Sequence, residues 1–356
     1  MSRYLPHGEF HAALNERVDA YFARTGLSPQ RARGMKLKTA IIYTWLVGSY
    51  LFGLLAASTW WQVALACISL GFAMAAVGFN VQHDGGHGAY STRSGTNWLA
   101  AAAMDSIGAS SYVWAWKHNV FHHSNPNCVG LDADIDIQPL CRLAPDQSHH
   151  GYQRFQHVYI WFLYSFLALK WLFDDFRDVA NGAVGGQRIP RPRGLKLVQF
   201  VGGKLFFLSW SVLIPCLLHP VGNAVAAWAV ASVTLSLVMA SVFQMAHVVE
   251  QVKFQARGVR GASTWAEHQV TTTADFAQGS AWVTWYTGAL NYQVEHHLFP
   301  KVCHLHLPAL APIVRATCEE FGVPYSSYPT ARCALLSHVR WLRTMGAACE
   351  AKSAPA

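Results

Sequence analysis

The chain of 356 residues is 52% hydrophobic and only 13% charged. A soluble domain typically carries about a quarter charged residues, so this composition indicates contact with lipid and excludes an ordinary soluble domain. The formal net charge of +8 does not indicate nucleic-acid binding, because the basic residues fall between apolar segments rather than along one water-soluble face. The eight cysteines are scattered and form no CxxC pair, which argues against a cysteine-bound zinc or iron–sulfur centre.

The first part of the chain, residues 1–37, mixes basic and acidic residues before any apolar segment begins. We therefore predict a cytosolic segment there and no secretory signal. Further along, four apolar segments approach the ~20 residues that a helical membrane crossing requires. They are residues 38–57, 61–80, 204–220 and 222–245. Very short connections join the first segment to the second and the third to the fourth, which predicts two helical hairpins.

The distribution of Lys and Arg predicts the side of the membrane that each connection faces. Both hairpin tips lack these residues, whereas residues 1–38 and 176–196 are rich in them. By the positive-inside rule, the N-terminal segment and the central loop are cytoplasmic. Lys204 stands at the start of the third segment, and we expect its side chain to extend back to the headgroups.

A fifth apolar segment, residues 158–173, is predicted to be a helix that lies in the membrane interface. It contains Lys170 and ends in two aspartates, 174 and 175. If it crossed the membrane, the histidines before it and after it would lie on opposite faces. This prediction assumes that those histidines belong together.

The C-terminal part of the chain has a more soluble character. Residues 308–321 are predicted to form an amphipathic helix, because apolar residues recur there at helical spacing. The membrane domain as a whole is predicted to cover residues 38–330. Residues 331–356 are predicted to be a tail, which frays from residue 345 onwards.

The 18 histidines are unevenly distributed. They form HxxxH at 83–87, HxxxHH at 118–123 and QxxHH at 293–297, and a further histidine ends the motif QMAH at 244–247. Histidines at i and i+4 share one helical face and can reach one metal, whereas adjacent histidines diverge by about 100° and can serve two metals. All are predicted on the cytoplasmic side. The candidate ligands are His83, His87, His118, His122, His123, His247, His296 and His297.

Imidazole suits iron, zinc, copper and nickel, so the ligand type alone does not select the metal. Eight neutral nitrogens are too many for one ion and suit two. A metal transporter is the distant alternative, but transport would require ionisable residues within the spans. Of the Lys, Arg, Asp and Glu residues, the predicted spans contain only Lys38 and Lys204, each at an edge.

The three motifs resemble the histidine boxes of the membrane fatty acid desaturases. The similarity extends over about residues 37–330, and its most specific part is the stretch NYQVEHHLFP at 291–300. Gln293 resembles the front-end and acyl-lipid branch, in which Gln replaces a histidine. The resemblance implies an all-α integral membrane fold with four transmembrane helices in two hairpins and a cytosolic helical cap. It implies that the eight histidines hold a di-iron centre in that cap.

The resemblance also implies the reaction: O2-dependent insertion of a double bond into a fatty acyl chain. The acyl group could be carried by CoA, by a carrier protein or by a lipid. A hydroxylase or an acetylenase would share the same motifs and is the alternative. Residues 1–36 contain no cytochrome b5 haem motif. We therefore expect electrons from a separate carrier, a ferredoxin or cytochrome b5 with its reductase. The active site would face the cytoplasm, at the inner membrane if the chain is bacterial.

Residues around the predicted centre are expected to support it. Metal-bound histidines usually donate their second N–H to a carboxylate, a backbone carbonyl or water. The candidates for weak ligation or for such support are Gln293, Gln244, Asp84 and Glu295, together with Asp132, Asp134 and Asp136, which could equally be solvated loop acids.

Aromatic residues flank the second and third motifs. Most are expected to be interfacial anchors. Trp116 and Tyr292 are the predicted substrate contacts, because they lie nearest to the ligands in sequence. The remaining histidines are predicted to be structural, except for His268, for which the sequence favours no role.

Overall fold

The computed structural model describes residues 4–6, 8–259 and 263–347 and is mostly helical. The helices are α1 Glu9–Thr25, α2 Met35–Ala56, α3 Trp60–His87, α4 Ser94–Ala101, α5 Ala103–Ser106, α6 Ser111–Trp114 with its π-helical continuation Ala115–His122, α7 Gln156–Tyr164, α8 Leu167–Asn181, α9 Leu195–Leu218, α10 Val221–His247, α11 Trp265–Thr271, α12 Ala281–Tyr286, α13 Gln293–Leu298, α14 Leu307–Glu320 and α15 Ala331–Gly346. Short 3-10 turns occur at Ala133–Ile135, Gly151–Phe155 and His304–His306. Strand β1 (Ala183–Val184) pairs antiparallel with β2 (Gln187–Arg188), and β3 (Asp275–Phe276) pairs parallel with β4 (Ser327–Tyr328).

Four helices in the described part of the chain are long and apolar enough to cross a membrane: α2, α3, α9 and α10. The predicted number of spans is therefore confirmed. The third span begins at Leu195 rather than at residue 204, because helical apolar residues precede Lys204. Lys204 therefore lies within the span. The prediction that it extends to the headgroups is wrong, since its side chain is buried and paired with Asp175.

Helix α3 is the most buried of the four spans. It packs against both α2 and α10. Gly71 permits the close approach to α10, because a Cβ atom there would lie only 2.6 Å from the carbonyl oxygen of Ala231. Close to its C-terminal end, α3 contains the π-helical turn Gly78–Gln82, which directly precedes His83. Such turns are frequent at functional sites.

The predicted helix at 158–173 is two helices, α7 and α8, which meet at Ser165 and Phe166. Neither is among the four candidate spans, and their place in the interface stays a prediction. The predicted amphipathic helix is confirmed as α14, which buries Leu310, Val314 and Cys318. Within the predicted tail, α15 is an ordered helix that buries Leu342. Residues 348–356, which the predicted fraying includes, lie outside the described residues.

Candidate metal centre

Histidines from separate stretches of the chain meet at the C-terminal ends of α3 and α10. One ring nitrogen from each member of a first set lies within 4.8 Å of the others. This set is the His83 group: His83, His87, His118 and His296. A second set satisfies the same 4.8 Å limit. It is the His122 group: His122, His247 and His297.

His123 lies between the two groups. Its Nε2 atom is 3.2 Å from Nε2 of His118 and 3.1 Å from Nε2 of His296. Its ring also stacks on His297 of the other group, with ring centroids 4.3 Å apart. All eight histidines that the sequence selects are therefore brought together, and their role as ligands stays a prediction.

The spacing of the motifs explains this division. His83 and His87 are one helical turn apart at the end of α3, and both belong to the His83 group. His296 and His297 are adjacent on α13, and their side chains diverge to different groups. The structure thus confirms the expectation that adjacent histidines diverge, and it confirms convergence for the i, i+4 pair His83 and His87. His118 and His122 fall in different groups instead, because the chain is π-helical over Ala115–His122.

The two glycines within the HDGGH motif are required by packing. A Cβ atom on Gly85 would lie 2.4 Å from the backbone nitrogen of Ala101. A Cβ atom on Gly86 would lie 2.2 Å from the ring of Trp114. Neither distance is compatible with a side chain, so the end of α3 can approach α4 and α6 only with glycine at these positions.

Hydrogen bonds to other side chains orient the His122 group. His122 donates from Nδ1 to Asp132 at 3.0 Å, and His297 donates from Nδ1 to the side-chain oxygen of Gln269 at 2.9 Å. The amide nitrogen of Gln293 lies 2.8 Å from Nε2 of His247. Asp132 is buried and also accepts from the backbone of Asn127, so its position is fixed independently of His122.

The His83 group contacts the ring of Trp114 instead. Trp114 stacks on His118, with ring centroids 4.5 Å apart and an interplanar angle of 25°. The same indole meets His83 and His87 edge-on, at centroid distances of 5.9 and 5.5 Å. In the described part of the chain, the side-chain hydrogen bonds of this group extend only to His123.

The electrostatics favour a neutral imidazole at three of these histidines but not at His122. Burial, followed by repulsion from neighbouring histidines, holds the pKa of His118, His296 and His297 well below its ordinary value. Burial also lowers the pKa of His122, but the carboxylate of Asp132 more than offsets it, so that this pKa is raised. Neutral imidazole is the form that binds a metal.

Several ring nitrogens of the cluster have no partner. The Nε2 atoms of His87, His122 and His297 are buried and without a hydrogen-bond partner among the described residues. Buried polar atoms are normally satisfied, so these orphaned nitrogens require an explanation. A cation held by each group would satisfy the orphaned nitrogens of that group, and the residues present therefore fit metal ions.

The other predicted supporting residues have different contacts. Asp84 accepts from Nδ1 of His304 at 2.9 Å, and Nε2 of His304 in turn lies 2.9 Å from the amine of Lys38. Glu295 accepts from the hydroxyl of Tyr325 at 2.8 Å. Burial, with the neighbouring Asp275, raises the pKa of Glu295 well above its ordinary value.

The remaining candidates for supporting the metal site differ in their distance from the histidine cluster. Asp134 is 3.9 Å from Nδ1 of His122 and pairs with Lys117, whereas Asp136 is exposed. Gln244 is buried on α10, and its side-chain oxygen has no partner among the described residues. His268 is also buried, and its Nε2 atom lies 2.9 Å from the carbonyl oxygen of Pro126.

The two predicted substrate contacts lie away from the cluster. Trp116 packs beside Phe121 in a separate hydrophobic cluster. Tyr292 donates its hydroxyl hydrogen to the carbonyl oxygen of Gln278. Their contact with substrate stays a prediction, but the indole beside the histidines is that of Trp114.

Sequence reasoning missed two aromatic residues and one amide. Phe243 stacks on His247 at 4.6 Å, as Trp114 does on His118. Each aromatic residue stands four positions before its histidine, so the helical spacing could have identified both. Gln269 offered no such signal, because it contacts His297 across two separate helices.

A mainly apolar cavity of about 670 Å³ opens beside the end of α3. Tyr43, Val81, Ala103 and Phe206 are among the residues that line it. Where α2 borders the cavity, the hydroxyls of Thr39 and Tyr90 are hydrogen bonded at 2.9 Å. The cavity therefore combines an apolar wall with hydroxyl groups close to the histidine-bearing end of α3.

Comparison with known proteins identifies the family. The sequence profile described as fatty acid desaturase matches residues 58–329, which include every histidine of both groups. The chain belongs to the fatty acid desaturase family. It is therefore an oxidoreductase from a family of membrane enzymes, in agreement with its four candidate spans.

Individual relatives extend the similarity beyond the profile. The chain is 38% identical over 347 residues to the sn-1 linoleoyl-lipid 6-desaturase of Arthrospira platensis, which covers 97% of this chain and 94% of the relative. It is 39% identical over 344 residues to the sn-1 linoleoyl-lipid 6-desaturase of Synechocystis, covering 95% and 96%. The acyl-lipid (8-3)-desaturase of Physcomitrium patens is 36% identical, covering 95% of this desaturase chain and 72% of the relative.

Proposed function

We propose that this desaturase inserts a double bond into a fatty acyl chain of a membrane lipid, with O2 as co-substrate, at two iron ions held by the eight histidines. The observation that carries the proposal is the convergence of two buried imidazole groups with unpartnered nitrogens. The lipid-bound substrate is supported by the relatives, whose names specify linoleoyl-lipid and acyl-lipid desaturation.

The His83 group would hold one iron and the His122 group the other, and His123 lies within reach of both. When bound, the iron pair supplies the O2 activation and the hydrogen abstraction that an unactivated methylene requires and that side chains cannot perform. Asp132 and Gln269 keep the ligand nitrogens of His122 and His297 directed inward. Gln293, Gln244, Asp84 and Glu295 stay candidates for weaker support.

The acyl chain would occupy the apolar cavity beside α3. Its wall suits methylene groups, and Val81 stands only two residues before His83. A hydroxyl of Thr39 or Tyr90 could donate a hydrogen bond to the carbonyl oxygen at the ester end of the lipid. Replacing Ala103 by Leu should shorten the accepted chain or move the double bond, because the larger side chain fills part of the cavity.

The membrane arrangement that the sequence predicts would place this site on the cytoplasmic side. The four spans would form two hairpins, with the histidines and a helical cap on the cytoplasmic side. Residues 1–37, 38–330 and 331–356 are the proposed N-terminal segment, membrane domain and tail. Electrons would come from a separate ferredoxin, or from cytochrome b5 with its reductase.

The test is expression in a host of known lipid composition that supplies linoleoyl lipids, together with a matching electron donor. Mass spectrometry of the lipid fatty acids then reads the reaction and its position together. A new double bond that depends on His118 supports the proposal, and a hydroxyl or a triple bond would favour the alternative. No product from iron-loaded protein with a reduced donor would overturn it.

A further inference from the structure

A buried ion pair joins α9 to α8. The amine of Lys204 lies 2.5 Å from a carboxylate oxygen of Asp175, and both residues are buried, with exposed fractions of 3% and 5%. Lys204 lies well inside a candidate membrane span. An ionisable residue at such a position is costly, which makes it a functional candidate by default.

The ion pair holds the turn that precedes α6. Lys204 donates to the carbonyl oxygen of Gly108 at 2.7 Å, and Asp175 accepts from the backbone nitrogen of Ser110 at 2.7 Å. Asp105 accepts from the backbone nitrogen of Ser111 at 3.1 Å and from its hydroxyl at 2.5 Å. Three charged side chains therefore fix Gly108, Ser110 and Ser111.

This turn determines where a histidine-bearing helix begins. The side chain of Ser110 caps α6 by accepting from the backbone nitrogen of Val113. One turn later, Trp114 fills the space between Gly86 of α3 and the ring of His118. A shift of the capped end would therefore move His118 relative to His83 and His87.

The His122 group is less dependent on this turn. His122 lies at the far end of the continuation of α6, but Asp132 holds it independently, and Gln269 holds His297. His247 is at the end of a different helix, α10. A disturbance at the start of α6 should consequently affect one imidazole group more than the other.

We propose that Lys204, Asp175 and Asp105 are positioning residues that set the geometry of the His83 group from within the membrane. The inference rests on the proposed function, because it assumes that this group binds iron. The charges take no part in the reaction. They act by satisfying the backbone groups that fix the start of α6.

The test compares three variants with the wild-type protein in detergent. The double variant Lys204→Met/Asp175→Leu removes both charges together, which avoids a single unpaired charge in the interior. Lys204→Arg/Asp175→Glu retains the ion pair. Asp174→Asn is the matched control, because this neighbouring carboxylate pairs with the exposed side chains of Lys170 and Arg177.

The readouts are iron affinity and the Mössbauer spectrum, with the thermal melting curve as the measure of folding. The double variant should bind the iron of one site about 10- to 100-fold more weakly and change the spectrum of that iron only. The charge-retaining variant should recover wild-type binding, and the control should match wild type. A purely structural ion pair would instead lower the melting temperature and leave the spectrum unchanged.

The outcomes separate the two proposals. Unchanged iron affinity and spectrum in a folded double variant would overturn the positioning role. Failure of the wild-type protein to bind two irons would overturn the proposed function instead. If the double variant does not fold, Asp105→Asn answers the same question with a milder change, since loss of its charge weakens the bonds to Ser111. An unaltered spectrum there would equally refute the inference.

Discussion

The His83 group and the His122 group lie side by side, and each has an aromatic ring stacked on one of its histidines, but their hydrogen bonds differ. In the described chain, the His122 group has hydrogen bonds to a carboxylate and to two amides outside the cluster. In the His83 group, the ring of Trp114 stacks on His118 and meets His83 and His87 edge-on. A carboxylate partner raises the basicity of an imidazole, whereas stacking fixes its orientation and adds little basicity. The two proposed iron sites should therefore differ in affinity.

The largest expected effect comes from removing one histidine of each group. His118→Ala and His247→Ala should each abolish desaturation, since each deletes a proposed ligand. The two variants should lose iron from different sites. Each should lose the iron of its own group and retain the iron of the other group. Elemental analysis with Mössbauer spectra of the two purified variants checks this. Identical losses in both would show that the groups do not act as separate sites.

The next largest effect, a loss of iron affinity, should come from replacing Asp132. Asp132→Asn keeps a hydrogen-bond acceptor for His122 but removes the negative charge, so iron binding by the His122 group should weaken about 10- to 100-fold. Equilibrium dialysis against an iron chelator measures the change. Asp136→Asn is the control, because this carboxylate is exposed and should leave binding unaltered. Equal effects of both variants would refute the assigned role.

A smaller effect is expected at Trp114. An aromatic pair contributes about 0.5–1.5 kcal/mol beyond its buried area, so Trp114→Leu should weaken iron binding by the His83 group roughly 2- to 10-fold. The same dialysis measures it, and Trp116→Leu provides the matched tryptophan control. A weakening confined to the His122 group would contradict the proposed contact.

The smallest effect on iron binding should come from Gln269. Gln269→Met preserves the side-chain volume but leaves Nδ1 of His297 and the backbone oxygen of His123 unpaired. The free energy of unfolding should fall by about 1–3 kcal/mol, with iron affinity changed less than in Asp132→Asn. Chemical denaturation in detergent gives the first quantity and dialysis the second. A larger loss of iron than in Trp114→Leu would contradict the proposed ranking.

The positions of the histidines could be predicted because their geometry is local. The spacing of His83 and His87 determines that they share a face, and the adjacency of His296 and His297 determines that they diverge. Span number followed from apolar length in the same way. These properties need no knowledge of which helices touch.

What the sequence did not reveal depends on contacts between distant segments. Lys204 resembled a residue at a span boundary, because its partner Asp175 lies on another helix. Trp116 was preferred to Trp114 on sequence distance alone, whereas helical spacing places Trp114 on His118. Gln269 could not be recognised, because the packing of α11 against α13 leaves no local pattern.

The clustered histidines come from distant parts of the chain, so they are synthesised at different times. His83 emerges from the ribosome early, whereas His296 and His297 follow only after all four apolar helices have been synthesised. The carbonyl of Val248, next to His247, is held by His338 of α15, later still. The complete pocket can therefore form only after α15 has been synthesised, so loading of the proposed iron would follow the synthesis of all four candidate spans.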